Sequence, residues 1–213
     1  MSKAICIMGE SGSGKTTSLR NLPPDQTYYI DCDKKGLSWK GWRNEYNKEK
    51  KNYKVTDDAK TISAILAGIN SKCPDIHYVV IDTLNGIMVG DEMRRIKEKG
   101  YDKWVDLASC VWDLVDSAYS YRDDLTLIFT AHTQTERDES GYQFTRIKTN
   151  GKKLEKMVLE SKFTTVLLST VRDGKYIFVT RSDNSTCKTP LGAFDTDTID
   201  NDIMIVLDSL KDY

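Results

Sequence analysis

The residues Gly9-Glu10-Ser11-Gly12-Ser13-Gly14-Lys15-Thr16 fit the spacing G-x-x-x-x-G-K-[ST]. Glycines at these places let the main chain curl until successive N–H groups converge on phosphate oxygens. A helix opening at the end of the loop adds the positive end of its dipole. Lys15 supplies an ammonium to β- and γ-phosphates, and Thr16 offers a hydroxyl to Mg²⁺, a hard ion that prefers oxygen. The phosphate-binding set is therefore Gly9, Glu10, Ser11, Gly12, Ser13, Gly14, Lys15, Thr16 and the adjoining Thr17. An accidental glycine turn is the bland alternative. The required context is present, because an apolar strand precedes the loop and a helical segment follows it.

A phosphate loop needs a second acid for the magnesium shell. Asp82 closes the buried run Tyr78-Val79-Val80-Ile81-Asp82, at the carboxyl edge of a strand, where open α/β sheets bind their ligands. Thr16 and Asp82 form the expected metal set; the alternative for Asp82 is a cap on the following helix. The next residue is Thr83 rather than Glu, so a water-activating base must stand elsewhere. Asp31 and Asp33 lie just past the second strand, and a carboxylate there reaches an attacking water, unless both are solvated loop acids. His132 ends the fourth strand, where a polar group senses the γ-phosphate or serves only as a structural hydrogen-bonding histidine. Asn47-Lys48-Glu49-Lys50 lacks the Asp of a guanine-reading motif, which favours ATP over GTP.

The elements that position these groups follow from hydrophobic period and turn residues. Lys3–Met8, Thr27–Asp31, Tyr78–Asp82 and Leu125–Ala131 read as strands. Helices are predicted from Lys15 to the stop at Pro23-Pro24, and over 57–72, 85–99, 103–121, 151–161 and 199–210. In the fourth of these, Trp104, Leu107, Ala108 and Val111 share the apolar face. Segments 164–169 and 176–180 flank Asp173-Gly174, a hairpin signal. Segment 133–150 reads as a mobile loop or small hairpin. Strands alternating with helices predict one α/β domain over residues 1–213, with a mainly parallel sheet flanked by helices and a C-terminal β-hairpin extension.

Composition bounds the function. The chain has 213 residues, a formal net charge of −1, 39% hydrophobic and 30% charged residues, the profile of a soluble globular protein. No run approaches the roughly 20 apolar residues of a membrane helix, so no membrane partner is expected. Five scattered cysteines without a CxxC pair suggest neither a zinc site nor a disulfide framework, and a cytoplasmic location follows. Net charge exerts no global pull on nucleic acid. Locally, 34–54 holds eight Lys/Arg against two Glu, and 193–213 six Asp against one Lys.

GESGSGKTT, YIDCD, VVID and the strand ending in His132 together resemble the core of RecA-like ATPases. The later stretches Tyr176–Arg181, Cys187–Phe194 and Asn201-Asp202 are similar to the phage nucleotide-binding proteins of the AAA type. The resemblance implies a RecA-like P-loop fold, ATP with Mg²⁺ as cofactors, and an ATPase that binds single-stranded DNA and supports annealing or recombination. It implies self-assembly as a ring or filament, a single-strand-binding or other recombination protein as a possible partner, and the host bacterium's cytoplasm as location. It places Asp33 where RecA-type proteins carry their catalytic Glu, one methylene shorter. It also makes Arg181 and Lys188 the basic residues delivered to a neighbour's γ-phosphate, which would complete a catalytic set of Lys15, Asp33, Asp82, His132, Arg181 and Lys188. It would line a DNA channel with Arg94, Arg95, Lys97, Lys99 and Lys103, a stretch better read as a solvated helix face, or with the more suggestive loop 137–153, which holds Arg137, Tyr142, Phe144, Arg146, Lys148, Lys152 and Lys153. The insertion 34–54, with Trp39, Trp42, Tyr46 and Tyr53, is a rival surface whose aromatics otherwise pin the loop. Two other functions fit the motif: a loader ATPase acting on a replication or recombination protein, and a P-loop kinase for a nucleotide or small metabolite.

Overall fold

The computed structural model describes residues 1–100, 102–137, 139–150 and 158–213, with backbone alone for 102, 104 and 107. Strand β1 (Lys3–Gly9) is buried on both faces, as its unbroken apolar run requires in a parallel sheet. It lies between β5 (Thr126–Arg137) and β7 (Thr165–Arg172), parallel to both. Beyond β5 come β4 (Tyr78–Asp82), β2 (Thr27–Asp31) and the short edge strand β3 (Tyr53–Val55), all parallel. On the other side β8 (Lys175–Val179) and β9 (Thr198–Asp200) add antiparallel. Strand β6 (Gln143–Ile147) pairs with the overhanging end of β5, with one further bridge from Thr145 to Ser185. This is the α/β architecture that the sequence implied, a mainly parallel sheet flanked by helices with an antiparallel C-terminal extension.

The two faces of β1 feed two cores. Ala4, Cys6 and Met8 pack with Ile62 and Leu66 of α2 (Ala59–Lys72), Ile87 of α3 (Leu84–Arg94) and Val111 of α4 (Asp102–Asp116). Ile5 and Ile7 face Leu19, Leu22 and the C-terminal helix α5 (Ile203–Ser209). Side-chain caps start the helices where the sequence offers acceptors. Asp58 receives Thr61 N–H, Thr83 receives Gly86 N–H, and Asp202 receives Met204 N–H, each satisfying an otherwise orphaned donor.

Several expectations change. No α-helix follows the phosphate loop. Thr17–Leu19 forms one 3₁₀ turn, with a single i→i−4 bond from Ser18 N to Gly14 O (2.8 Å). Pro23 and Pro24 arrive too soon for further turns. The third helix ends at Arg94 rather than Lys99. Residues 34–54 are mainly loop, interrupted by the short α1 (Trp42–Glu45), and lead into β3. Segment 133–150 is the β5–β6 hairpin. Of the helix expected over 151–161, residues 151–157 lie outside the described ones, as do the side chains of Trp104 and Leu107, and Leu159–Lys162 is a 3₁₀ turn. The hairpin at Asp173-Gly174 is observed, with φ of 50° and 75°, the left-handed pair a tight two-residue turn demands.

Candidate functional site

The parallel strands end together, so register alone brings the chemistry to one edge. Gly9 of β1 stands opposite His132 of β5, and Asp31 of β2 opposite Asp82 of β4. The phosphate loop leaves β1 there. Gly14 has φ 98°, and a Cβ on it would come within 2.8 Å of the Tyr176 ring and 2.9 Å of Asn201 Oδ1. Only glycine gives this loop both its left-handed turn and its approach to β8. Around it lies a cavity of about 260 Å³ lined by Ser11, Gly12, Lys15, Thr16, Lys35, His132 and Tyr176, among others.

Lys15 is 6% exposed, and its ammonium donates to the carbonyls of Gly9 (2.8 Å) and Glu10 (2.7 Å). Burial lowers its pKa to about 8, against the opposing pull of Asp82. A buried ammonium on two neutral carbonyls lacks the anion that would balance it. Ser13 Oγ is likewise buried without a partner. Two underused donors in a glycine cradle fit a phosphate chain.

Thr16 Oγ1 donates to Asp82 Oδ2 at 2.9 Å, so the expected metal pair is assembled in space. Asp82 is 2% exposed and also receives Tyr29 and Thr130 hydroxyls. One hydroxyl with a carboxylate directly behind it suits a Mg²⁺ ion that keeps most of its waters.

The two acids after β2 separate. Asp31 is buried, accepting from Gly36 N–H (2.8 Å) and the Tyr53 phenol (2.7 Å). Asp33 reaches the phosphate edge, where Thr83 Oγ1 (2.8 Å) and Lys35 Nζ (2.6 Å) donate to it. Burial pushes its carboxyl up, but the Lys35 and Thr83 hydrogen bonds outweigh that and hold it below the usual range. Asp33 and His132 line a larger cavity of about 640 Å³ beside α3. His132 belongs to both cavities. Burial, then the Lys15 charge, lowers the His132 pKa, so the ring is neutral at pH 7 and can accept or donate one hydrogen bond. The main-chain N–H of His132 donates to Asn85 Oδ1 (2.7 Å), and its carbonyl accepts from Lys148 N–H (2.7 Å).

Arg181 and Lys188 do not line the phosphate cavity. They share a separate cleft with Asp183, Leu191 and Asp197, and Arg181 pairs with Asp197. Lys188 bonds Val166 of β7 through its main chain in both directions, 2.8 Å each. Arg94 and Arg95 are spent on ion pairs with Asp57, Asp91, Glu98 and Asp106, which matches a solvated helix face. Lys152 and Lys153 lie outside the described residues. On the β5–β6 hairpin, exposed Tyr142 lies 6.5 Å, ring to ring, from Phe144. Arg146 sits opposite Gln134 in the ladder, 3.5 Å from Glu136.

Sequence reasoning missed Lys35, Tyr176 and Thr130. Thr130 stands two residues before His132, hence on the same strand face, and that period was available. Lys35 was hidden in a charge run, and Tyr176 arrives only through the lateral order of β1, β7 and β8.

A family model described as an AAA domain matches residues 1–190. No curated protein matches the chain. Among solved structures, the KaiC-like protein of the hyperthermophilic archaeon Pyrococcus horikoshii OT3 is similar, with 13% identity and a TM-score of 0.46. That match covers 83% of this chain and 77% of the other. Since the AAA-domain model spans most of its length, the chain belongs to that family.

Proposed function

We propose that this AAA-domain protein is an ATPase that holds Mg²⁺·ATP at residues 9–17, activates water with Asp33, and couples turnover to single-stranded DNA held by the β5–β6 hairpin. The observation that carries the ATPase reading is the meeting of Thr16 and Asp82, bonded at 2.9 Å, beside Lys15 at one strand edge, with Asp33 held by the hydroxyl of Thr83, the residue after Asp82, at 2.8 Å. Thr16 and Asp82 would hold Mg²⁺, which supplies charge neutralisation on the β- and γ-phosphate oxygens. Lys15 turns from its two carbonyls to the phosphates. Asp33 stays ionised across the neutral range and orients the attacking water; His132, neutral, faces the same space.

Coupling follows from the main chain. His132 is bonded through Lys148 N–H to the hairpin root. The neighbouring Thr133 hydroxyl donates to Glu10 Oε1 at 3.0 Å. A shift in the phosphate loop therefore has a short path to Arg137, Tyr142, Phe144 and Lys148, where cations follow a backbone and aromatics stack on bases. In this reading self-assembly, as ring or filament, brings Arg181 and Lys188 of one copy to the γ-phosphate of the next, and Tyr176 offers a ring beside the nucleotide.

The test is ATP turnover by purified protein with Mg²⁺, with and without an oligonucleotide. Stimulation by single-stranded DNA supports the proposal in full. Turnover indifferent to DNA but raised by a recombination or replication protein replaces the DNA element with a loader function. Phosphate transfer to an added nucleoside makes the protein a kinase.

A further inference from the structure

Three hydroxyls from three elements converge on Asp82. Thr16 and Tyr29 share its Oδ2, at 2.9 and 2.6 Å, and Thr130 donates to its Oδ1. The register explains the meeting. Tyr29 pairs with Val80 and Val80 with Ile128, so two residues further on Asp82 and Thr130 lie on the same face. Tyr29 is fully buried. Burial, followed by the Asp82 charge, pushes its phenol well above the ordinary value, so it remains a donor.

The Tyr29 ring cannot wander. Trp39, Tyr46 and Tyr53 surround it with ring centroids at 6.5, 5.7 and 6.2 Å, distances typical of edge and tilted aromatic contacts. Three of the four aromatic residues of segment 34–54 thus pack around Tyr29, and the fourth, Trp42, packs on Tyr53. Tyr53 repeats the pattern one strand over, its phenol on Asp31, which also receives Gly36 N–H and so sets the turn carrying Asp33 and Lys35.

A carboxylate that accepts three charge-assisted hydrogen bonds, on both of its oxygens, is held against rotation about its own axis. It can still hold the Thr16 hydroxyl proton, which aims that oxygen's lone pairs at the metal. We propose that Tyr29 is a positioning residue of the metal site: its phenol locks Asp82 so that Asp82 acts on Mg²⁺ through Thr16 and water, and the segment 34–55 exists to brace that phenol. The assignment rests on the Mg²⁺·nucleotide reading above.

The test is Tyr29→Phe in the full chain, which removes one oxygen and keeps the ring. Free Mn²⁺ is followed by its paramagnetic resonance signal as the ion is titrated into protein with ADP, and ADP binding is measured separately in chelator. The variant should bind Mn²⁺ about 10-fold more weakly or worse, the usual effect of removing an outer-shell partner. Its metal-free ADP affinity should stay the same, and the Mg²⁺ concentration for half-maximal turnover should rise by a similar factor. Tyr53→Phe, which touches Asp31 instead, should leave Mn²⁺ affinity unchanged. A Tyr29→Phe protein that melts earlier but titrates Mn²⁺ like the wild type overturns the assignment and leaves the ATPase reading intact. Wild-type protein that holds no Mn²⁺ with ADP overturns both. Should Tyr29→Phe fail to fold, Thr130→Val strips the other carboxylate oxygen of its donor and carries the same expectation.

Discussion

Raising the pH from 7 to 9 should weaken nucleotide binding about tenfold. The perturbed group is Lys15, nearly buried and bonded only to neutral carbonyls, with a pKa lowered to about 8 by burial. If only the ammonium form binds phosphate, the apparent Kd scales as one plus ten to the power of pH minus pKa. Between pH 7 and 9 that factor goes from about 1.1 to about 11. An arriving phosphate restores the missing anion and raises the pKa again, so binding must take up about half a proton at pH 8 and nearly one at pH 9. Calorimetry with an ATP analogue and Mg²⁺, in two buffers of different ionisation enthalpy, reads both quantities. A Kd flat across this range with no proton uptake would refute the reasoning. Stability moves the other way in nucleotide-free protein. The folded pKa lies below the unfolded one, so the charged, buried Lys15 destabilises the fold below about pH 8. That penalty is relieved as pH rises from about 8 toward 10.5, and Lys15→Met should lose this alkaline gain.

Asp33→Asn should bind nucleotide normally and lose about 10²- to 10⁴-fold in turnover, the range for a general base; unchanged turnover removes Asp33 from the mechanism. Gly14→Ala forces a Cβ into a φ of 98° and to within 2.8 Å of Tyr176. It should cost about 1–2 kcal/mol, seen as a melting temperature lower by a few degrees, and should abolish phosphate binding. Single-stranded DNA binding should fall with salt at a log–log slope of about −0.7 per phosphate contact, and Arg137→Ala with Lys148→Ala should shallow it by about 1.4 units if both cations touch phosphates. Lys188→Ala should keep nucleotide binding, lose hydrolysis in the assembled protein, and regain part of it when mixed with Lys15→Ala subunits.

The phosphate loop and Asp82 were legible because both obey a local rule: a motif between strand and turn, and an acid ending an apolar run. The four main parallel strands and the Asp173-Gly174 hairpin were legible for the same reason. What escaped was set by contacts distant in sequence. The turn after Lys15 is too short for a helix because two prolines truncate it while Leu19 and Leu22 anchor it in the core. Residue type alone left Asp31 and Asp33 alike, since the burial of Asp31 depends on Tyr53 arriving from an edge strand of three residues. Trp39 and Tyr46 read as pinning the loop rather than stacking on bases, but their partner Tyr29 comes from strand β2 and could not be named from the sequence.

The most direct test is calorimetric titration of the intact, folded protein with a slowly hydrolysed ATP analogue, in the presence of Mg²⁺ and then of chelator. The account predicts saturable binding at one site per chain, tighter with Mg²⁺, and absent in Lys15→Ala. Titrations without heat for any adenine nucleotide, or binding that persists unchanged in Lys15→Ala, would contradict it.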